Sequence, residues 1–207
     1  MNFPQIVICL ILFILIKTIL TSPKFRGCIG EWIVKRSLKK LPAEYLVLHD
    51  ILLPNDENTS QIDHIVVSPY GIFSIETKNY QGWIYGKESQ YQWTQVFGRN
   101  KFKFYNPISQ NKRHIKALND ILKENAIHSM IVFTDGTFKT EMPEYVMYSR
   151  AMVRYIKRFC DIVFDDIRIA EIINKIKNAN ITEPKQRKAH IKYAKSMKDQ
   201  AKAKIPK

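Results

Sequence analysis

Two apolar segments separated by a short turn constrain the fold of this chain more than any other feature. They read QIDHIVVS and GIFSIETK, with Pro69 and Tyr70 between them. β-Branched and aromatic residues favour strands, and the residues between the segments favour a tight reversal of the chain. The sequence therefore predicts a β-hairpin in which Ser68 faces Gly71 across the turn.

The predicted hairpin register brings three charged side chains together at one end. With that register, Asp63 lies directly opposite Glu76. Side chains alternate between the two faces of a strand, so Glu76 and Lys78 share a face and Thr77 points away from it. Asp63 joins the face of Glu76 and Lys78 through its cross-strand pairing.

Paired carboxylates at the end of apolar strands repel each other and are costly to remove from water. A divalent cation removes this cost, and Mg²⁺ (or Mn²⁺) favours one or two carboxylates with several retained waters. The predicted metal ligands are Asp63, Glu76 and the backbone carbonyl of Thr77, with Lys78 placed to orient an attacking water. The alternative is a plain cross-strand salt bridge among the three charged side chains.

Helical and strand-like segments alternate along the rest of the chain, a pattern typical of an α/β fold. A helix is predicted from about Gly30 to Leu41 and another from Pro107 to about Lys123. The other predicted elements are strands within 45–54, 79–95, 129–136 and 144–149, and helices over 149–159 and 165–176.

The charge distribution points to a polyanionic partner such as nucleic acid or anionic lipid. The chain carries 33 Lys and Arg against 19 Asp and Glu, a balance of +14. Half of this excess lies in 182–207, which holds nine basic residues and two acids. We therefore expect 181–207 to be a basic tail, disordered or a frayed helix, that gains order on a polyanion. Three widely spaced cysteines exclude a disulfide framework and a structural zinc site.

The N-terminal segment 1–22 is predicted to be a membrane anchor. The sequence IVICLILFILI has no polar side chain, and with the residues that follow it approaches the length of a bilayer core. Basic residues follow this run and none precedes it, so the rest of the chain is expected in the cytoplasm of a single-pass membrane protein. A cleaved signal peptide and a buried soluble helix are the alternatives.

Three segments together resemble the nuclease-related domain (NERD) family. They are GEWIVKRSLKKL, QIDHIVVSPYGIFSIETKNYQGWIYG and NPISQNKRHIKAL. The resemblance is strongest over 27–122, and a single domain over 27–180 is expected. Members of this family look like restriction-endonuclease-fold proteins of the PD-(D/E)xK superfamily. The resemblance implies a mixed central sheet flanked by helices, here preceded by one transmembrane helix.

The resemblance also implies a set of site residues. It places a first-helix acid on Glu31, the hairpin aspartate on Asp63, and the E-x-K pair on Glu76 and Lys78, and it makes Gln61 and Gln110 supporting groups. The alternative for Glu31 is an acid favoured only by the dipole at the start of a helix.

Further residues are candidates for substrate binding. Gln110 and His114 are four positions apart on one helix face, where they contact a phosphate or a base, or else cap buried polar atoms. In GRNKFKFYNP, Arg99, Lys101 and Lys103 alternate with aromatic residues, a mixture that holds phosphates and stacks bases. An exposed amphipathic edge strand is the alternative for that segment.

The sequence thus predicts a metal-dependent, endonuclease-like domain that hydrolyses DNA phosphodiester bonds at the cytoplasmic face of the membrane. One alternative is a membrane-associated nucleic-acid-binding module whose acids no longer cut. Another is a membrane-surface scaffold whose basic tail lies on anionic lipid while the domain binds protein.

Overall fold

The computed structural model describes residues 5, 8–13, 17–18, 22–55 and 58–203, with side chains described as far as 196. From residue 23 onward the helices are α1 (Pro23–Leu38), α2 (Pro107–Leu122), α3 (Ser149–Ile156), α4 (Asp166–Ala179) and α5 (Pro184–Ala203). The strands are β1 (Leu46–Pro54), β2 (Thr59–Ser68), β3 (Gly71–Lys78), β4 (Trp83–Tyr85), β5 (Gln92–Phe97), β6 (Asn100–Tyr105), β7 (Ile127–Phe133), β8 (Thr137–Phe138) and β9 (Val146–Tyr148).

The strands form two mixed sheets, and helices flank them. The five-stranded sheet has the order β1-β2-β3-β7-β9, with β1, β2 and β3 antiparallel and β7 and β9 joined in parallel. The four-stranded sheet has the order β6-β5-β4-β8. The predicted mixed α/β architecture is therefore confirmed, whereas the single central sheet is divided into two.

The hairpin of β2 and β3 has the predicted register. Ser68 pairs with Gly71, and the ladder continues as far as His64 and Ile75. Asp63 and Glu76 occupy the next position along the two strands, where the backbone ladder has ended. Both acids therefore lie where β2 and β3 stop pairing, while Glu76 stays paired with Ile131 of β7.

Each face of the five-stranded sheet is covered by helices. On one face, Ile65 of β2 is in a buried cluster with Leu118 of α2 and Ile172 of α4. On the opposite face, Phe73 of β3 is in a second cluster with Val34 of α1. Because side chains alternate along β3, Glu76 lies on the face that α2 covers.

Helix α1 begins earlier than the apolar pattern predicts. Ser22 caps it, because the Ser22 Oγ accepts a hydrogen bond from the Phe25 N–H at 3.3 Å, and Pro23 occupies its first turn. The predicted helix of 30–41 is thus the second half of a helix that ends at Leu38. Helix α2 begins and ends within one residue of its prediction.

The structure does not support the predicted membrane anchor. Among the described residues, no helix is both long enough and apolar enough to cross a bilayer. More than half of the positions in 1–22 lie outside the described residues, so the anchor stays a prediction.

The basic tail is helical where it is described. Residues 184–203 form α5, the helical one of the two alternatives expected for this segment, and 204–207 lie outside the described residues. The physical reason is contact with other parts of the chain: Arg187 bonds to the backbone of Ile181 and to Asp50, and the nearly buried His190 bonds to Thr59. These contacts hold the first turns of the helix against the domain.

Candidate active site

The end of the β2–β3 hairpin places Asp63 beside β3. The Asp63 Oδ2 accepts a hydrogen bond from the Thr77 N–H at 2.8 Å. A carboxylate thus bonds to the strand where the backbone ladder has stopped. This bond fixes the position of Asp63 relative to Glu76, the residue that precedes Thr77 on β3.

Glu76 is a buried acid paired with a lysine on its own strand. Only 2% of Glu76 is exposed, and the Lys78 Nζ donates to the Glu76 Oε1. The Lys78 Nζ also donates to the Gln110 Oε1 of α2 at 3.1 Å. Gln110 therefore positions the ammonium group between the helix and the acid.

The second oxygen of Glu76 has no hydrogen-bond partner among the described residues. The Glu76 Oε2 lies 3.4 Å from the His114 Nδ1, and neither atom forms a hydrogen bond there. Burial lowers the pKa of His114 to about 4, against the opposing effect of the Glu76 charge, so the ring is neutral at physiological pH. A buried carboxylate oxygen without a hydrogen bond is rare and points to a functional role.

Burial and neighbouring charges shift the pKa values of Asp63 and Lys78. Burial raises the pKa of Asp63 well above its ordinary value, the charge of Glu76 adds to this shift, and Lys78 opposes it. Burial is the largest single effect on Lys78 and lowers its pKa, but the charges of Glu76, Tyr80 and Asp63 and the hydrogen bond to Glu76 together outweigh burial and raise that pKa above the ordinary value. Lys78 is therefore a cation at physiological pH, and its charge attracts both Asp63 and Glu76.

Two more acids belong to this electrostatic cluster. Desolvation raises the pKa of Glu31 on α1, and the charges of Asp50 and Glu76 add to the shift. Asp50 of β1 was not among the predicted site residues. Its backbone is left-handed, with φ of 55°, and its ladder neighbours are His49 and Ile51. An acid in the middle of the apolar strand LVLHDILLP was the available signal.

A cleft of about 410 Å³ opens beside these groups. Six predicted site residues line it, and Glu76 lies behind them, in contact with Lys78 and His114. The predicted residues that line the cleft are Gln61, Asp63, Lys78, Gln110 and His114, together with Lys103 of β6.

The basic hairpin of β5 and β6 is divided between the cleft and the surface. Lys103 lines the cleft, and its Nζ donates to the Thr94 Oγ1 at 2.8 Å. Arg99, at the turn, and Lys101 are exposed and are not among the residues that line the cleft. The structure thus does not bring Arg99 and Lys101 to the acids.

Several cleft residues were missed by reasoning from the sequence. Arg113 lies on α2 beside His114 and three positions after Gln110, and no sequence pattern marked it as a binding residue. The others come from segments read as short strands, loop or tail, where no local pattern marks a binding residue. They include Thr59, Tyr80, Tyr91, His190 and Tyr193.

The donor set at this site fits a small divalent cation. Mg²⁺ needs only one or two carboxylates because it retains several waters. Glu76 offers a buried oxygen without a hydrogen bond, and Asp63 is an adjacent carboxylate that borders the cleft. Within the described part of the chain, no group of three or more His, Cys, Asp or Glu side chains is arranged to hold a metal.

The mixed sheets, the acid pair and the adjoining lysine define a nuclease-like protein. The family model for the nuclease-related domain matches residues 26–134, just over half of the chain. The chain belongs to this family. A Bacillus anthracis protein described as uncharacterized is 36% identical over 180 residues, which are 83% of this chain and 84% of that protein. No solved structure matches the chain.

Proposed function

We propose that this protein is a metal-dependent nuclease that hydrolyses phosphodiester bonds in DNA. One observation carries the proposal: buried Glu76 is held by Lys78 through one oxygen, while its other oxygen, 3.4 Å from the His114 Nδ1, has no hydrogen bond within the described part of the chain. Membership of the nuclease-related family supports it. A purely structural ion pair is expected to complete its hydrogen bonds, because leaving a buried charged atom unpaired is destabilising.

Asp63 and Glu76 would hold Mg²⁺ or Mn²⁺ with the Thr77 carbonyl as a further ligand. A bound metal supplies polarisation of the phosphodiester and lowers the pKa of a bound water. The raised pKa of Asp63 makes its deprotonation the condition for binding a cation.

The remaining cleft residues orient the substrate and the water. Lys78, kept cationic by Glu76, donates to a phosphate oxygen on which negative charge increases during hydrolysis. Gln110 restrains the Lys78 Nζ through its 3.1 Å contact. Gln61, His114, Lys103 and Arg113 border the same space and contact the sugar-phosphate backbone. Arg99 and Lys101 contribute at a distance, as exposed charges that attract the polyanion.

The attachment of the protein to a membrane is a separate part of the proposal. The apolar segment 6–16 and the basic residues after it support a single anchor with the domain on the cytoplasmic side. We expect the full chain to sediment with membranes and to resist extraction by high salt and by alkaline carbonate. Release under those conditions would contradict an anchor.

The nuclease proposal is tested by incubating the purified chain with single-stranded circular DNA and with negatively supercoiled plasmid DNA, in which torsion favours local opening of the strands. We expect nicking with Mg²⁺ or Mn²⁺ and none with EDTA. The variants Glu76→Ala and Lys78→Ala should lose this activity.

The exposed ion pair of Lys112 and Glu88 offers matched controls. The Lys112 Nζ lies 2.9 Å from the Glu88 Oε1, and both side chains are largely exposed. Glu88→Ala and Lys112→Ala should therefore nick like the unchanged protein. Equal nicking by the Glu76 and Lys78 variants would refute the site assignment.

A second candidate function is a nucleic-acid-binding module that does not cut. The ion pair between Lys78 and Glu76 favours it, because the lysine already neutralises the acid. Such a module shifts DNA in EDTA and never cleaves it, with any divalent cation. Cleavage that appears with Mg²⁺ and disappears in the Glu76 variant excludes this candidate.

A further inference from the structure

Helix α5 forms one wall of the cleft, although it lies far along the chain from the acids. The Arg187 Nη1 donates to the Asp50 Oδ2 at 2.8 Å, and its Nη2 donates to the Asp50 carbonyl at 2.7 Å. One turn later, the His190 Nδ1 lies 2.7 Å from the Thr59 Oγ1. These bonds tie the helix to the edge of the sheet where the site lies.

The same helix reaches the opposite side of the cleft. Residues of α5 contact β6, whose Lys103, Phe104 and Tyr105 line the cleft from the other sheet. His190 and Tyr193 of α5 line it too. The helix therefore extends from the β1–β2 hairpin to β6 and confines the space in front of the acids.

The confined space is unusually aromatic for a site that holds phosphates. Five aromatic side chains line it. The Tyr80 and Phe104 rings are 4.5 Å apart, and the Tyr91 and Tyr105 rings meet edge to face at 5.2 Å. The lining aromatic residues are Tyr80, Tyr91, Phe104, Tyr105 and Tyr193.

Cations are interleaved with these rings. Lys78, Lys103 and Arg113 line the cleft, and the Arg113 guanidinium lies 4.8 Å from the centre of the Tyr105 ring. Aromatic rings on which bases stack, set within a basic groove, are the common means of binding single-stranded nucleic acid. In a duplex the faces of the bases are covered by their neighbours, so rings of this kind reach them only after unstacking.

From this arrangement we propose that the cleft binds single-stranded nucleic acid and excludes intact duplex. A volume of about 410 Å³ is in the range of sites for small ligands and accommodates an unpaired nucleotide rather than a double helix. Tyr193 and His190 are specificity-determining residues, since they close the side through which a duplex would approach. As a statement about cleavage the inference rests on the proposed nuclease function, whereas binding tests it separately.

The bond between Arg187 and Asp50 is what keeps the wall in place. Its two hydrogen bonds join a guanidinium to a carboxylate and a backbone carbonyl, a rigid geometry that lysine does not reproduce. The Asp50 Oδ1 also accepts from the Gln61 Nε2 at 2.6 Å, so the attachment point is itself braced by a residue that lines the cleft. Loosening this contact opens the cleft without altering the acids.

The experiment measures binding by the full chain in EDTA. A salt concentration of about 0.15 M screens nonspecific electrostatic attraction. The probes are one fluorescent oligonucleotide and its blunt duplex with the complementary strand. We expect at least about tenfold tighter binding of the single strand, and a loss of about tenfold in Tyr193→Ala, which removes one stacking ring. Ile191→Ala, an exposed position on the same helix, is the control and should bind like the unchanged protein.

A second pair of variants tests the wall itself. Arg187→Gln should reduce the difference in affinity between the single strand and the duplex, because the loosened wall admits the duplex. Lys188→Gln removes the same charge from an exposed neighbour and should keep the selectivity. Equal or tighter binding of duplex by the unchanged protein overturns the inference, as does a Tyr193→Ala variant that matches Ile191→Ala.

Cleavage with Mg²⁺ separates this inference from the proposed function. Selective binding of the single strand without any cleavage supports the cleft inference and refutes the nuclease. Cleavage of blunt duplex as fast as single strand supports the nuclease and overturns the cleft inference.

Discussion

Ser74 and Glu76 lie two positions apart on the same face of β3, and each contacts α2, yet their surroundings differ. The Ser74 Oγ donates to the Asn111 Oδ1 at 2.8 Å, and the Asn111 Nδ2 donates to the Ser74 carbonyl and to the Ser129 Oγ. Ser74 and Asn111 are fully buried. This cluster satisfies its polar atoms and joins the strand to the helix.

The cluster around Glu76 is buried to a similar degree but is incomplete. The Glu76 Oε2 and the His114 Nδ1 face each other without a hydrogen bond. The first cluster is neutral and closed, whereas the second is charged, borders a cleft and keeps an oxygen available. The difference teaches that burial of a polar group does not mark function, whereas an unmet bonding capacity beside a cleft does.

The sharpest test of this comparison is Glu76→Gln. The amide keeps an acceptor for Lys78 and gains an N–H that donates to the His114 Nδ1. We expect the unfolding free energy to fall by about 1 to 2 kcal/mol, because Lys78 loses its counter-charge, while the repulsion between Glu76 and Asp63 disappears and one hydrogen bond is gained. Cleavage should fall by about a hundredfold or more, because an amide is a poor ligand for Mg²⁺.

Urea unfolding and plasmid nicking measure the two quantities on the same preparation. A strongly destabilised Glu76→Gln variant that still cleaves would show that this cluster, too, is structural.

Asn111→Leu should have the opposite effect. Leucine has a similar shape and cannot bond to Ser74 or Ser129, so the buried hydroxyl and carbonyl of Ser74 and the half-buried hydroxyl of Ser129 lose a partner. We expect a loss of about 3 kcal/mol in unfolding free energy, at about 1 kcal/mol or more for each unsatisfied group. The cleavage rate, measured where the variant is folded, should stay within about threefold of normal, since the acids are untouched.

Asn119→Leu is the matched control for that substitution, because Asn119 is an exposed position on the same helix. A small effect at both positions would mean that the closed cluster contributes little to stability.

His64 tests whether a buried polar atom without a hydrogen bond indicates a functional role when its residue does not line the cleft. Its Nε2 has no partner, but it lies on the opposite face of the sheet, against His49. Burial lowers the pKa of His64 from 6.5 to about 3, and His49 and Lys35 add to the shift. Between these pH values the unfolded chain binds a proton that the folded chain does not, so stability falls as pH decreases.

For His64 this loss amounts to about 2 kcal/mol between pH 7 and pH 5. We expect His64→Leu to lose about 2 kcal/mol less than the unchanged protein over that interval, by urea unfolding at both pH values. The raised pKa of Asp63 acts in the opposite direction in both proteins, so the difference isolates His64. Two outcomes would contradict the distinction between the two faces of the sheet. One is an equal loss of unfolding free energy in both proteins between pH 7 and pH 5, and the other is a loss of DNA cleavage by His64→Leu at pH 7.

The smallest effect is expected at the exposed ion pair of Lys112 and Glu88. Water and salt screen such pairs, so Glu88→Gln should change the unfolding free energy by no more than about 0.5 kcal/mol. Thermal unfolding at low and high salt measures it. A larger loss would mean that exposed pairs in this protein matter as much as the buried pair of Lys78 and Glu76.

The hairpin and its acids were predictable because the information is local. A strand alternates its side chains with a period of two, and a short turn fixes which residues face each other. From these two facts alone, the pairing of Ser68 with Gly71 places Asp63 and Glu76 at the same position. The helix α2 followed from its apolar spacing in the same way, and with it the positions of Gln110 and His114.

What escaped prediction depends on contacts between distant parts of the chain. Arg187 and Asp50 are separated by 137 positions, and no local pattern links a basic tail to a strand. The charge of the tail indicated a solvated chain, whereas one specific partner and the burial of His190 hold the start of α5 in place. The division into two sheets escaped for the same reason, because β4 pairs with the distant β8.

The attachment of α5 through Arg187 has a consequence for how proteins of this kind diversify. The acids and the lysine lie within 26–134, the part that matches the family, whereas this wall of the cleft is contributed by a helix that begins fifty residues later. If the cleft selects single strands as proposed, changes in that helix alter which polymer enters while Asp63, Glu76 and Lys78 stay the same. Exchanging α5 for the corresponding segment of a relative is then expected to change the preference between single strand and duplex.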